Sequence, residues 1–418
     1  MNFFDDKDTL DASARMRDLF DGFNDRLETA RSNCPGLARH HAEVLNIRVH
    51  DSDSLRSLPI LRKADVMQAQ QELPPFGGFV NVAALSGSRW FMSPGPVWEP
   101  QLPIGDPWQS ARALHAAGFT SGMRVHNAFS YHLTPGGFIL DEGARALGCI
   151  VFPAGIGNTE VQVEALHHTA SEAYVGTPDY LQTLLDHASE QSIELPQLKR
   201  AMVSGGALFP AMREKYQSQG IDVMQCYATA DLGVIAYETA SDGQLHAGMV
   251  INEGLIVEIV IPGTAIPVSP GEVGELIVTR LHPDFPLVRF ATGDLSAEIV
   301  EPSPCGRSQK RIKGWMGRAD QRAKVRGMFV DPLQLKKLAD IHPELQRWRL
   351  VVDRDGDRDV MNLKVVASGD EGSLKVDALE NTLKKVTSLS GTVEIVAELP
   401  SDGVVIDDQR DYLSLIHI

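Results

Sequence analysis

The residues most able to do chemistry in this sequence lie where apolar runs end. Phe290–Asp294 is typical of a strand that ends in a turn carrying an acid. A carboxylate fixed just past a strand end can accept hydrogen bonds from two vicinal hydroxyls, which is how carboxylates hold a ribose. Thr-Gly-Asp is also a common turn sequence, so a purely structural turn stays open for this segment.

A second candidate segment, Gln225–Asp231, leads from an apolar strand end to an aromatic ring, a hydroxyl and a carboxylate. Tyr227 could stack on a base, Thr229 could donate to a phosphate and Asp231 could hold a magnesium ion. A strand followed by a helix N-cap would explain the same residues, so both interpretations stay open.

A third candidate segment alternates small and charged residues at a predicted domain junction. It comprises Gly317–Asp320 and Lys324–Gly327. Such a junction can absorb a backbone rotation, and Gly327 would allow a ligand chain to approach closely. A plain linker is the alternative.

The elements that must position these residues indicate an α/β protein. Apolar spacing predicts a helical layer over residues 8–47, and from about 111 to 218 short apolar runs alternate with amphipathic helices, which implies parallel strands joined by crossovers. Residues 245–300 favour antiparallel strands in a small β-subdomain, and the tail after about 318 is typical of a β-α-β-β-α-β unit.

We therefore predict two domains, as the chain length of 418 residues also suggests. Residues 1–318 would form a large multi-layer domain of parallel sheets and helices with the small β-subdomain. Residues 319–418 would form a small α+β lid domain that is mobile.

Composition argues against several classes of function. The chain has 39 Lys and Arg against 55 Asp and Glu, and its net charge of -16 repels nucleic acid. The four cysteines form no CxxC pair, which argues against disulfides and structural zinc. No apolar run approaches the ~18 residues that span a bilayer, and the acidic N-terminus is unlike a signal peptide. We expect a cytoplasmic protein with no membrane partner.

The order of several short motifs resembles the phenylacetate–CoA ligase branch of the adenylate-forming enzymes. The resemblance covers about residues 10–400 and includes the three candidate segments. In chain order, the matching segments are 75–78, 129–149, 227–231, 270–276, 285–294, 305–307 and 317–332.

This resemblance implies an AMP-forming acyl-CoA ligase. Such enzymes use ATP and Mg²⁺ to convert a carboxylate to an acyl-adenylate, then rotate the C-terminal domain so that the thiol of coenzyme A attacks the same carbonyl. Adenylation is needed because oxide is a poor leaving group and a phosphate is a stabilised one. The implied partners are a small aromatic carboxylic acid, ATP and coenzyme A, and a homodimer is left open.

The resemblance also implies roles in the nucleotide site. Asp294 would hold the ribose hydroxyls, and Tyr227 with Ala228 would flank the adenine. Thr229 would touch the α-phosphate. Asp231 stands where relatives commonly have Glu and would hold Mg²⁺ with a shorter reach.

The remaining matched residues would serve the hinge, coenzyme A and the acid. Asp320 would be the hinge, with Arg318 beside it near the nucleotide. Gly327 with Arg326 would lie where the pantetheine arm passes. The acyl pocket would be lined by Tyr131, Ser204, Gly205, Gly206 and Ala207.

Two departures from the family bear on adenylation. Relatives carry a Ser/Thr/Gly-rich phosphate loop ending in Gly-Lys-Pro, whereas residues 91–99 keep Ser93 and Gly95 but contain two prolines, which lack N–H donors, and no lysine. Val404 stands where relatives place a lysine. Losing one such cation typically costs on the order of 2 to 4 kcal/mol of barrier.

Three functions therefore compete. The first is the AMP-forming ligase, which the matched nucleotide residues favour. The second is an acyl- or thioester-transfer relative that lacks self-sufficient adenylation, which Val404 and the proline-bearing loop favour. The third is a non-catalytic protein that binds a nucleotide or an acyl group, because a fold alone does not fix a function.

Overall fold

The computed structural model divides the chain into two compact units, Met1–Gly317 and Arg318–Ser414. The division falls beside the domain boundary expected from the sequence. The residues that the structure describes are 3–93, 97–206, 208–241, 243–319, 323–356, 358–367, 375–400 and 404–410. Within these ranges, no helix has the length and hydrophobicity needed to cross a bilayer.

Helices build the first layer of the larger unit, as the apolar spacing predicts. Asp11 caps the first helix by accepting hydrogen bonds from the backbone N–H groups of Ser13 and Ala14. A short strand, a further helix and a hairpin follow. The elements are α1 (Ala12–Phe20), α2 (Phe23–Asn33), α3 (Pro35–His40), α4 (Ser52–Leu55), β1 (Leu61–Arg62), α5 (Lys63–Glu72), β2 (Trp90–Ser93) and β3 (Val97–Pro100).

The middle of the chain confirms the predicted parallel α/β arrangement. Strands and helices alternate, and the strands pair in parallel in the spatial order β5-β4-β6-β7-β8. Their carboxyl ends share one edge, where parallel sheets bind ligands. The elements are α6 (Ser110–Ala116), β4 (Arg124–Asn127), α7 (Gly136–Ala146), β5 (Ile150–Pro153), α8 (Thr159–His168), β6 (Ala173–Gly176), α9 (Pro178–Glu190), β7 (Arg200–Val203), α10 (Pro210–Ser218) and β8 (Asp222–Thr229).

Antiparallel strands follow, as expected, but they do not form a separate sheet. β8 pairs with β9, and the hydrogen-bonded path continues through β12, β16, β15, β14 and β13 within one 12-stranded sheet. The predicted β-subdomain is therefore an extension of the parallel sheet. The elements are β9 (Gly233–Tyr237), β10 (Ala240–Ser241), β11 (Gln244–Leu245), β12 (Met249–Ile251), β13 (Ile256–Val260), β14 (Val273–Arg280), β15 (Leu287–Ile299) and β16 (Arg311–Ile312).

A buried arginine ties β15 to the N-terminal layer. Arg289 lies in β15, and its guanidinium donates to both carboxylate oxygens of Glu258 at 3.0 Å and to the backbone carbonyls of Arg56 and Leu58. Every one of these partners is needed because an unpaired charge at such a depth is strongly unfavourable. The arginine in the 285–294 motif is thus structural.

The smaller unit has the α+β order that the sequence predicts. A four-stranded sheet in the order β21-β20-β19-β22 packs against two helices around a leucine-rich core that includes Leu338, Leu350 and Leu383. The elements are β17 (Ala323–Val325), β18 (Met328–Val330), α11 (Pro332–Ile341), β19 (Leu345–Asp355), β20 (Arg358–Ala367), α12 (Val376–Thr387), β21 (Thr392–Ile395) and β22 (Ile406–Asp408). The predicted fold class is therefore confirmed.

Candidate active site

Asp294 lies on a bulge of β15. Ala291 pairs with Ile277 and Leu295 pairs with Glu275. Three residues of β15 therefore lie opposite a single residue of β14, which makes the bulge. The Thr292 hydroxyl accepts from the Asp294 N–H at 3.1 Å, and Gly293 takes a positive φ of 71°. The expected end of the strand at this point is wrong, because β15 continues to Ile299, but the bulge aims the acid as a turn would.

Two donors fix the Asp294 carboxylate. The Tyr227 hydroxyl donates to Oδ2 at 2.6 Å, and the Trp315 indole N–H donates to Oδ1 at 2.8 Å. Asp294 is 5% exposed, so these bonds compensate a buried charge. Because each carboxylate oxygen has more than one lone pair, the group keeps the capacity to accept from a diol.

The structure gives Tyr227 a positioning role that the sequence did not predict. Its ring is buried in the main apolar core, and its hydroxyl orients Asp294. The predicted contacts of Tyr227 and of the half-buried Ala228 with adenine stay predictions. The sequence analysis did not single out Trp315, because nothing in the local sequence links it to an acid on a different part of the sheet.

Thr229 ends β8, and its hydroxyl accepts the backbone N–H of Leu232 at 3.2 Å. This is the local bond expected of a threonine that opens a turn. A hydroxyl that accepts this bond still carries its own proton, so the predicted donation to a phosphate stays a prediction.

Asp231 is buried against a lysine and a second acid. The Lys63 ammonium lies 3.2 Å from Asp231 Oδ2. Glu99 Oε2 is buried and accepts no hydrogen bond from the described residues. Burial and the nearby charge of Asp231 raise the pKa of Glu99 well above its usual value. Burial also acts to raise the pKa of Asp231, but the Lys63 charge and a hydrogen bond from Glu99 hold it below its usual value. These opposite pKa shifts favour a protonated Glu99 beside an ionised Asp231.

Arg280 adds a second cation to this group. Burial lowers its pKa to about 10, and its guanidinium donates to the backbone carbonyls of Pro107, Asp231 and Leu232. We call Asp231, Glu99, Lys63 and Arg280 the Asp231 cluster. With Glu99 neutral, the cluster has two cations against one carboxylate, and this positive excess favours an anion.

Lys63 joins the predicted phosphate loop to the Asp294 bulge. It follows β1, whose Arg62 pairs in parallel with Ala291 immediately before the bulge. It also begins α5, where Gln70 exchanges two hydrogen bonds with the backbone of Trp98 in β3. The sequence analysis missed Lys63 because a lysine after a two-residue strand has no distinguishing pattern.

The phosphate-loop segment forms the β2–β3 hairpin. The Ser93 hydroxyl is buried and donates to Glu99 Oε1 at 2.9 Å, so it holds the protonated acid in place. Gly95, predicted to contact phosphate, lies outside the described residues, and the role of Ser93 toward phosphate stays a prediction.

Part of the predicted acyl pocket surrounds Tyr131. A pocket of about 570 Å³ is lined by residues that follow β4 and β5 and by the first turns of α7. The half-buried Tyr131 ring meets the Phe138 ring edge to face at 5.0 Å, and the Tyr131 hydroxyl donates to Asp141 at 2.8 Å. The sequence analysis missed Asp141, although its spacing from Phe138 places both on one helix face.

The Ser204–Gly206 turn lies at the end of β7 on the same sheet edge. The Ser204 hydroxyl is buried and donates to the Cys226 carbonyl at 2.8 Å. Gly205 has a positive φ, and the Gly206 carbonyl accepts from the Gln225 amide. These bonds shape the turn, its contact with substrate stays a prediction, and Ala207 lies outside the described residues.

In the smaller unit, Arg326 and Gly327 form the two-residue turn between β17 and β18. Their φ values of 48° and 81° are those of a type I′ hairpin, which explains the glycine. Arg326 donates to Asp359, and Arg318 lies over the Phe329 ring. Their predicted contacts with ligands stay predictions, and Asp320, the predicted hinge, lies outside the described residues.

Two arginines donate hydrogen bonds to backbone carbonyls at or near Val404. Arg349 donates to the Val404 carbonyl at 3.1 Å, and Arg347 donates to the Leu399 carbonyl at 2.6 Å. By contrast Arg410 is buried and paired with Asp359 and Asp408, so its charge is already neutralised.

Comparison with known proteins finds similar sequences and structures. The model of a family described as AMP-binding enzyme matches residues 143–282. A phenylacetate-coenzyme A ligase of Thermus thermophilus is 32% identical over 263 residues, and one of Escherichia coli is 29% identical over 338 residues. The chain is thus similar to phenylacetate-coenzyme A ligases and contains a match to an AMP-binding enzyme family.

The alignments differ in coverage. The match spans 62% of this chain and 59% of the Thermus ligase, and 75% of this chain and 74% of the Escherichia coli ligase. The chain thus covers less than two thirds of the first of these phenylacetate–CoA ligase relatives.

Solved structures share the fold of this chain. A 2-hydroxyisobutyryl-CoA ligase in complex with 2-HIB-AMP and CoA is 22% identical, with a TM-score of 0.83 over 97% of this chain and 92% of that one. An amide bond synthetase from Marinactinospora thermotolerans is 17% identical, with a TM-score of 0.55 over 78% of this chain and 69% of that one.

The two hydrogen bonds that fix the Asp294 carboxylate predict how AMP affinity responds to mutation. Asp294→Asn should weaken AMP binding by about 10-fold to 100-fold, because a charge-assisted acceptor of the ribose hydroxyls is lost. Tyr227→Phe and Trp315→Phe should each cause part of that loss by freeing the carboxylate. Isothermal titration with AMP and with its 2′,3′-dideoxy analogue measures this.

The exposed Asp186 supplies a control for that series, since Asp186→Asn should leave AMP affinity unchanged. Asp294→Asn should not alter binding of the dideoxy analogue. An equal loss for both nucleotides would show that Asp294 does not contact the sugar hydroxyls.

Lys63→Met should weaken binding of ATP and pyrophosphate by about tenfold or more and that of AMP much less. The reason is that the variant removes a cation placed to meet the outer phosphates. Competition titrations with the three ligands measure the ratio, and Lys215→Met, which alters an exposed ion pair, is the matched control. A uniform loss for all three ligands would contradict this role.

Glu99→Gln should change how stability depends on pH. The folded-state pKa of Glu99 is raised above its ordinary 4.5, so its contribution is fully present below that value and is lost as pH rises through the folded-state pKa. Glutamine mimics the neutral acid and does not titrate. As pH rises above about 4.5, the free energy of unfolding of the variant should therefore increase relative to that of the wild type. Urea titrations at several pH values measure this difference.

The exposed Glu160 provides the control, because Glu160→Gln should shift stability equally at every pH. A pH-independent difference for Glu99→Gln as well would mean that Glu99 is ionised in the folded protein.

Proposed function

We propose that this chain is an AMP-forming acyl-CoA ligase that activates a small aromatic carboxylic acid. The observation that carries the proposal is the buried Asp294 carboxylate, fixed by Tyr227 and Trp315 beside the positively charged Asp231 cluster. An acceptor for a diol next to a site for an anion suits a nucleoside phosphate. Similarity to phenylacetate-coenzyme A ligases and the match to an AMP-binding enzyme family support the same activity.

Asp294 and Lys63 would have different roles in adenylation. Asp294 would accept the ribose hydroxyls and so fix the position of the α-phosphate relative to the acid. Lys63 would leave Asp231 for the phosphates, where its ammonium stabilises the negative charge that develops as the carboxylate attacks. Lys63 would then supply the cation that the lysine-free loop at 91–99 lacks.

Mg²⁺ fits this site by donor chemistry. The ion is commonly held by one or two carboxylates together with phosphate oxygens and water, and Asp231 provides one ionised carboxylate. Bound there, Mg²⁺ would neutralise phosphate charge. Lys63 contacts Asp231 Oδ2 in the structure, so its ammonium would have to leave this oxygen for Asp231 to hold the ion.

For the second half-reaction we propose that the unit Arg318–Ser414 is a mobile lid, with Asp320 as the hinge and the Arg326-Gly327 turn beside the pantetheine arm. Gly327 is exposed, and a Cβ built on it would meet no atom within 4 Å, so space is present for a ligand chain. Coenzyme A is the thiol substrate that this proposal implies.

Val404 favours a second candidate, a thioester-handling relative that does not make its own adenylate. Valine supplies no charge to the attacking carboxylate. Arg347 and Arg349, which hold the carbonyls of the same loop, offer cations within this unit that would compensate. We also propose a cytoplasmic enzyme, because its four cysteines are free and buried, and a homodimer stays a prediction.

Carboxylate-dependent exchange of pyrophosphate into ATP tests the ligase directly. The wild type should catalyse exchange with an aryl acid, and Val404→Lys should raise the rate by about 10²-fold if no arginine compensates, and little if one does. Ser390→Lys, at an exposed position in the same unit, controls for added charge.

The outcomes separate the candidates. Exchange in the wild type supports the ligase. Absence of exchange, with transfer of a supplied acyl-adenylate to coenzyme A, would establish the thioester-handling alternative, and absence of both activities would leave a binding protein.

A further inference from the structure

The pocket beside Tyr131 has both aromatic and polar groups in its walls. Its walls include the rings of Tyr131 and Phe138, and Ile156 lies exposed at its rim. Ser130, His132 and Asp141 add polar groups to the same pocket. Its volume of about 570 Å³ lies within the range of small-molecule sites, and the aromatic walls suit a flat ring.

Asp141 has one hydrogen-bond donor and no ion-pair partner among the described residues. The Tyr131 hydroxyl donates to Oδ2 at 2.8 Å. The neighbouring cations are committed elsewhere, since Arg89 and Arg145 both pair with Glu142 and Arg89 also lies over the Phe138 ring. The carboxylate therefore stands in the pocket wall with acceptor capacity that no described residue uses.

Desolvation makes this arrangement unfavourable without a ligand. Burial raises the pKa of Asp141 above its usual value, and the nearby Glu142 adds to the effect. Burial likewise raises the pKa of Tyr131, so its hydroxyl keeps its proton and continues to donate to Asp141. A ligand donor placed against Asp141 would stabilise the charged form of this acid.

We propose that Asp141 determines substrate specificity by accepting a hydrogen bond from an amino or hydroxyl group on the ring of the aryl acid. The preferred substrate is then an aryl acid with a donor at the end of the ring remote from its carboxylate, rather than an unsubstituted or alkyl-substituted one. A site built to pair with a substrate donor discriminates against the analogue that lacks it, because its own polar group is left unpaired. This inference rests on the proposed function, with Tyr131 lining the acyl pocket.

Four para-substituted acids test the inference. Phenylacetate and its 4-methyl, 4-hydroxy and 4-amino derivatives are compared by titration calorimetry and by carboxylate-dependent pyrophosphate exchange. In the wild type, the hydroxy and amino acids should bind at least tenfold more tightly than the 4-methyl acid, which has similar size and no donor. The ratio of the two donor acids shows which donor the carboxylate prefers.

Variants assign the preference to Asp141. Asp141→Leu should remove the discrimination and favour the 4-methyl derivative. Asp141→Asn should weaken binding of both the 4-hydroxy and the 4-amino derivatives, because an acceptor remains while the charge is lost. Tyr131→Phe keeps Asp141 and should retain the preference. Asp186→Asn, at an exposed acid, is the matched control.

The readouts separate this inference from the proposed function. Donor-selective binding without exchange would support the pocket assignment and count against the ligase. Exchange with equal use of all four acids, or selectivity that survives Asp141→Leu in a folded variant, would overturn the role of Asp141 while the ligase stands. Absence of both binding and exchange would overturn both.

Discussion

The site depends on holding one buried carboxylate in a fixed position inside the protein. A buried charge is stable only when hydrogen bonds replace those of water. Asp294 meets that condition through a bulge that aims it and through the hydroxyl of Tyr227 and the indole N–H of Trp315. These donors come from different strands and loops, so the position of the carboxylate depends on the correct assembly of the whole antiparallel part of the sheet.

The neighbouring charges follow from the same strand. β1 pairs with β15 just before the bulge, and this pairing brings Lys63 to Asp231, which lies far away in sequence. Protonation of Glu99 leaves an excess of positive charge where phosphates would bind. The protein therefore prepares for an anion with side chains from separate elements, although the loop at 91–99 contains no lysine.

The sequence predicted the regular part of this architecture because periodicity depends on local residue types. The alternation of strands and helices through the parallel sheet, the antiparallel character after it and the α+β tail all match the structure. Asp294 and Asp231 were identified from motifs. Lys63, Glu99, Trp315 and Asp141 were not, since their roles come from tertiary contacts that no local pattern encodes, and a bulge with Gly293 at positive φ resembles a turn in sequence.

A crystal structure of the protein with bound AMP tests the central claim most directly. The account predicts that both ribose hydroxyls lie within hydrogen-bond distance of the Asp294 carboxylate, with Tyr227 and Trp315 still donating to it. A nucleotide bound with its sugar away from Asp294, or bound elsewhere on the sheet edge, would contradict the account.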